Sequence, residues 1–147
     1  MNDLSYITDA ILDLFPLLKR KLIKYSENVA GGGIVVPAQV QVLLLLKKEG
    51  VQTVSDIGQK LNIAKSNMTP LITRLADANF VTRQHSNLDR RTVNISITPK
   101  GEEYLEKYIG RLTDDLADRL RTLNPDSLRE LGNALNVVKN VLSDLED

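Results

Sequence analysis

The chain has 147 residues, of which 42% are hydrophobic, enough for one domain with its own core. It contains no cysteine and a single histidine, His85, which excludes disulfides, thiolate metal sites, cysteine redox switches and multi-histidine metal centres, so neither metal nor cofactor is expected. The formal net charge is +0, which gives no overall attraction to a polyanion.

In chain order, Met1 is followed by no basic n-region or apolar h-region, so no secretion signal is expected and the protein is read as cytoplasmic. The longest apolar run, Val40 to Leu46, is interrupted by Gln41 and is far too short to cross a membrane. Leu4, Ile7, Ile11, Leu14, Leu18, Leu22 and Tyr25 recur at steps of three or four, the stripe of an amphipathic helix. Pro16 inside it predicts a bend near Leu12 to Pro16. Lys19, Arg20, Lys21 and Lys24 read either as a solvated face or as phosphate contacts. Gly31-Gly32-Gly33 predicts a flexible loop, since no Lys-Ser/Thr pair follows to make a phosphate loop. Pro37 suits the first turn of a second helix with Val40, Leu43 and Leu44 on its inner face, ended by Gly50.

The stretch Thr53–Thr98 is the most informative. Thr53 is a predicted helix cap with Asp56 three residues on. Ile57 and Leu61 face inward, and Gly58 implies close packing against a crossing helix. Asn62-Ile63-Ala64 is a turn. A further helix is predicted from Lys65 to Ala78, its buried stripe formed by Met68, Leu71, Ile72 and Leu75. At about 100° per residue, Lys65, Ser66, Asn67, Thr69, Pro70, Thr73 and Arg74 lie outward or flank that outward face. These are short hydrogen-bonding groups and cations suited to base edges and phosphates, with Pro70 offering an apolar surface to a thymine methyl. Phe80–Arg83 and Thr92–Ile97 are strand-like. The segment between them carries Asp89, Arg90 and Arg91, a hairpin tip able to enter a minor groove, with Asp89 expected to hold one arginine by a charge-assisted bond. This is a helix-turn-helix with a β-wing.

Thr98-Pro99 and Asn124-Pro125 read as cap-plus-proline starts of two more helices. Their stripes are Leu105, Ile109, Leu112, Leu116, Leu120 and Leu123, then Leu128, Leu131, Leu135, Val138, Leu142 and Leu145. With the first helix they are too long and apolar for the winged core alone, so an intersubunit bundle is expected. An intramolecular hairpin in a monomer is the alternative. Charge follows the same division. From Val51 to Lys100 there are seven basic and three acidic residues, leaving +4, and the remainder carries −4. That distribution suits a nucleic-acid face on an acidic scaffold, or ordinary surface charge.

Laid out this way, the chain resembles the MarR family of winged-helix transcriptional regulators. Val54-Ser55-Asp56-Ile57-Gly58-Gln59-Lys60-Leu61 is similar to the family's first helix-turn-helix helix. Ala64 to Ile72 with Arg74-Leu75 is similar to its recognition helix. Asp89-Arg90-Arg91 through Ile95, Ile97-Thr98 and Gly101 follows its wing pattern. The resemblance implies a mainly α, winged-helix (α+β) fold with three parts. Residues 1–36 would be a dimerisation helix and Gly-rich loop, 37–98 the winged helix-turn-helix DNA-binding core, and 99–147 the C-terminal dimerisation helices. It also implies a homodimer on a pseudo-palindromic double-stranded DNA operator, mostly a repressor, which in many members is released by a small molecule, often a phenolic or other aromatic acid or a lipophilic compound. Phe15, Leu18, Leu22, Tyr25, Leu43, Leu44, Tyr104 and Tyr108 are the candidate effector pocket, with plain core packing the alternative for each. The absence of cysteine departs from peroxide-sensing members and the single histidine from zinc-sensing ones, and Ala64 stands where a capping serine is common. A winged-helix protein-interaction module without DNA binding is the other class, which a salt-dependent gel shift separates. No Ser/His/Asp set or phosphate loop supports an enzyme.

Overall fold

The computed structural model describes residues 3–22 and 36–145. Its elements in order are α1 (Asp3–Leu22), α2 (Ala38–Glu49), β1 (Gln52–Thr53), α3 (Val54–Lys60), α4 (Lys65–Asp77), β2 (Val81–His85), β3 (Val93–Ile97), α5 (Pro99–Leu120) and α6 (Pro125–Ser143). The predicted glycine loop and Tyr25 lie outside the described residues. The chain divides into two compact units, Met1–Arg111 and Leu112–Asp147.

In the first unit, α2, α3 and α4 pack on an antiparallel sheet of order β1-β3-β2. The core is Val40, Val42, Leu43 and Leu46 of α2, Ile57 of α3, Met68, Leu71, Ile72 and Leu75 of α4, Val81 and Ile95 of the sheet, and Leu105 of α5. The α4 stripe matches its predicted period. The α2 face does not: Leu44 is 38% exposed, while Val42 and Leu46 are buried with Val40 and Leu43. Neighbouring positions 42 and 43 are both enclosed because α2 is covered on more than one side, so a single-stripe reading fails there.

Local starts and stops follow side-chain chemistry. The Thr53 hydroxyl accepts from the Asp56 N–H at 3.1 Å and opens α3. The Asn124 carboxamide oxygen accepts from Ser127 N–H at 2.8 Å and opens α6. Gly50, with φ of 77°, ends α2 by donating to the Leu46 carbonyl at 2.9 Å. Asn62 and Asn79 take the left-handed conformation, with φ of 52° and 60°, after α3 and α4, a region asparagine tolerates better than most residues. Ala64 precedes α4 in an extended conformation, with φ of −59° and ψ of 141°, and offers no side-chain cap. Ala64→Ser therefore supplies the missing acceptor and is expected to raise unfolding stability by about 1 kcal/mol, read as a shifted urea midpoint at unchanged slope.

The helices outside this core leave their apolar stripes uncovered. On α1, Leu4, Ile7, Ile11, Leu14 and Phe15 are exposed, and on α6 no residue is buried. Among the described residues no helix is long and apolar enough to cross a membrane.

Candidate nucleic-acid interface

The buried set Met68, Leu71 and Ile72 seats α4 on the core, which turns the opposite face of the helix outward. Lys65, Ser66, Asn67, Thr69, Pro70 and Arg74 are all exposed. Thr73 is half-buried, and its Oγ1 accepts from Arg83 Nη2 at 2.7 Å. The sequence reading did not single out Arg83. It pairs across the sheet with Ile95, so its stem shares a face with a core residue, and its guanidinium reaches over that core to α4. The bond ties the wing's edge strand to the recognition helix.

The wing tip is ordered by its own hydrogen bonds. Ser86 N–H donates to the Thr92 carbonyl at 3.0 Å, and Thr92 N–H donates to the Asp89 carbonyl at 3.0 Å. Leu88 N–H donates to Ser86 Oγ at 3.2 Å and Arg91 N–H to Asp89 Oδ1 at 2.9 Å. The Thr92 hydroxyl also reaches Asp89 Oδ2, at 3.4 Å. Asp89 thus holds the turn's backbone, not an arginine side chain as its charge suggested, because its short side chain meets the N–H two residues on before it can reach a guanidinium. Among the described residues, no ion pair engages Lys65, Arg74, Arg90 or Arg91.

The other two cations of the basic stretch are committed elsewhere. Lys60 bonds the Glu49 carboxylate and, at 2.9 Å, Gln52 Oε1. Lys100 sits over the Phe80 ring at 5.8 Å. The remaining five lie on α4 and the wing. Between these elements and α3 runs a groove of about 930 Å³, lined by Lys65 and Thr69 of α4, Arg83 and His85 of β2, Arg91 of the wing and one acid, Asp56. Helix and wing therefore share one groove, to which the helix contributes Lys65 and Thr69 and the wing Arg83 and Arg91.

The candidate effector residues are scattered by comparison. Leu43 is fully enclosed in the core. Tyr104 stacks on Phe80 at 4.4 Å and neighbours Tyr108 at 6.4 Å, both packed against that core. Leu44 and Phe15 are exposed, Leu18 and Leu22 half-buried on α1, and Tyr25 lies outside the described residues. Among the described residues no cluster of His, Cys, Asp and Glu could hold a metal ion.

Known proteins share this architecture. The MarR family model matches residues 36–93. The chain is 32% identical to the HTH-type transcriptional repressor MdtR of Bacillus subtilis over 70% of its own length and 66% of MdtR's, so it spans just under two thirds of that relative. It is 31% identical to the HTH-type transcriptional regulator TcaR of Staphylococcus aureus, over 68% of this chain and 67% of TcaR. The solved structure of YusO from Bacillus subtilis superposes with a TM-score of 0.66 at 25% identity, covering 99% of each chain. MdtR and TcaR are named as regulators of transcription, not as enzymes. With the helix-turn-helix, the wing and the flanking helices in the same order, the chain belongs to the MarR family of winged helix-turn-helix transcriptional regulators.

Proposed function

We propose that the protein is a cytoplasmic, sequence-specific regulator that binds double-stranded DNA as a homodimer and represses from a pseudo-palindromic operator. The observation that carries this reading is the shared surface of α4 and the wing. Lys65, Ser66, Asn67 and Thr69 are exposed on α4, Lys65 and Thr69 share a groove with Arg91, and neither Arg90 nor Arg91 has its side chain in an ion pair among the described residues. Helix side chains of this kind read base edges in a major groove, while wing cations grip the flanking backbone and minor groove.

Dimerisation is supported by the uncovered stripes. Fourteen large apolar side chains of α1 and α6 are exposed, and completing their burial yields on the order of 10 kcal/mol before association costs of similar size. Only an extended interface realises such a sum, and a second copy supplies it with residues 1–36 and 99–147 as the dimerisation segments. Repression is supported by the likeness to MdtR. Relief by a small aromatic or phenolic ligand is proposed at the apolar side chains of α1, α2 and α5, of which Leu43 is fully enclosed in the core and Tyr104 and Tyr108 pack against it.

The test is selection of bound duplexes from a random pool, with sedimentation of the same sample. A two-fold symmetric site with half-sites about one helical turn apart, bound by a species of twice the 16.4 kDa chain mass, is the expected result. A monomer that enriches no sequence, or binding indifferent to salt, overturns it and favours the protein-interaction module.

A further inference from the structure

We propose that Leu88, at the tip of the wing, is a minor-groove reading residue that favours A·T pairs where the wing meets DNA; the inference rests on the DNA-binding reading above. Leu88 is 99% exposed, more than any other large apolar side chain among the described residues, the next being Tyr6 at 70%. A leucine so placed gains nothing for the fold of the chain, since no neighbour shields it. Yet it is not on a loose segment. Its own N–H is bound to Ser86 Oγ, and the turn that follows is closed by the Asp89 side chain and the Asp89 carbonyl. The tip thus holds an apolar group out into water, two and three residues before Arg90 and Arg91.

The chemistry of the surface those arginines approach decides what Leu88 can do. A narrow minor groove concentrates negative potential and draws in guanidinium groups. Between A·T pairs its floor carries only the A N3 and T O2 acceptors, whereas G·C adds the guanine N2 amino donor. A leucine against sugar edges and an amino-free floor buries apolar surface without stripping a donor of its partner. Against G·C it covers the amino group, which then loses its water and finds no acceptor, a costly arrangement. Proteins that bind the minor groove do bring apolar side chains, leucine among them, against it. Leu88 would therefore supply sequence preference at positions where the two arginines supply attraction.

The experiment uses the full-length protein and a duplex that it enriches from a random pool, with the wing-facing pairs varied in place. For the wild type, replacing A·T by G·C or by 2,6-diaminopurine·T, both of which place an amino group in the minor groove, is expected to weaken binding about tenfold. Replacing it by inosine·C, which lacks that group, is expected to leave affinity unchanged. Leu88→Ser is expected to bind the A·T duplex about tenfold more weakly and to lose the discrimination, with the salt dependence retained, while Leu88→Met keeps both. If Leu88→Ser discriminates as the wild type does, the arginines carry the preference and the proposal is overturned. Equal wild-type affinity for all four duplexes overturns it as well. Should the wild type enrich no duplex at all, the DNA-binding reading itself fails, an outcome distinct from the other two. Leu88 makes no packing contact that folding needs, so circular dichroism of the variants is expected to be unchanged.

Discussion

The double substitution Arg90→Ala, Arg91→Ala is expected to weaken binding to the selected operator on the order of 10²- to 10³-fold at physiological salt while leaving fold and dimer intact. The proposed dimer presents four of these side chains. Each phosphate-directed cation released lowers the salt slope by roughly one, so the log–log plot of affinity against salt should flatten by two to four. Neither side chain makes an ion pair within the described chain, and both are exposed, so no stability is lost with them. The Arg91 N–H that binds Asp89 is backbone and survives the substitution. Asp89→Ala provides the contrast. Counting charge alone, removing an acid from this surface should strengthen binding. Because Asp89 instead fastens the turn at the Arg91 N–H and the Thr92 hydroxyl, its loss is expected to weaken binding, as two arginines on a slack tip lose their preorganised aim. Tighter binding by Asp89→Ala, or loss of fold and dimer in the double arginine variant, would sink the assignment of the wing.

That Asp89 contrast marks where the sequence stops being legible. The presence of Asp89-Arg90-Arg91 between two strands is visible in the letters. Whether the carboxylate meets a guanidinium or an amide depends on the turn geometry, which puts the Arg91 N–H at 2.9 Å from Asp89 Oδ1. The α4 stripe was readable because the helix is covered on one side, so burial and apolarity share a period. α2 is enclosed on several sides, and its run of four leucines, Leu43 to Leu46, carries no mark of which one faces out. β1 is not legible in the sequence because its two residues, Gln52 and Thr53, are polar and gain strand geometry only by pairing with Ile95 and Asn94. The role of Arg83 is hidden for a related reason: β2 lies at the edge of the sheet, where four of its five residues are exposed, so alternation does not reveal which of them reaches α4. The stripes of α1 and α6 were legible as amphipathic, but what covers them is not written in one chain.

Gly101→Ala is expected to be the most damaging single methyl group added to the winged unit, costing about 3 kcal/mol or more. A Cβ at this position would lie 2.2 Å from the Phe80 carbonyl oxygen and 3.0 Å from Ile97 Cγ1. The first obstacle is backbone, and it is not free to move. The Phe80 oxygen accepts the Thr98 N–H at 3.0 Å, the Phe80 N–H is bound to the Leu75 carbonyl at 2.9 Å, and the Phe80 ring stacks on Tyr104. Nor can the first turn of α5 simply retreat, because Thr98 caps it through the Gly101 N–H at 3.0 Å while donating to the Asn79 carbonyl at 2.6 Å. One methyl must therefore displace either the exit of α4 or the start of α5, at the point where the wing joins the C-terminal helix. Gly58, the glycine whose close packing the sequence announced, is the control. Its added Cβ meets the Ile63 carbonyl oxygen and Met68 Cγ at 3.3 Å each. A small shift accommodates that, and the gain in helix propensity of about 1 kcal/mol offsets part of the strain. Denaturant unfolding of both variants, at one protein concentration because the stability of the proposed dimer depends on it, is expected to rank Gly101→Ala far below Gly58→Ala. Equal stabilities would mean that α5 leaves the sheet with room to spare, and that the close approach at Phe80 does not fix where the helix begins.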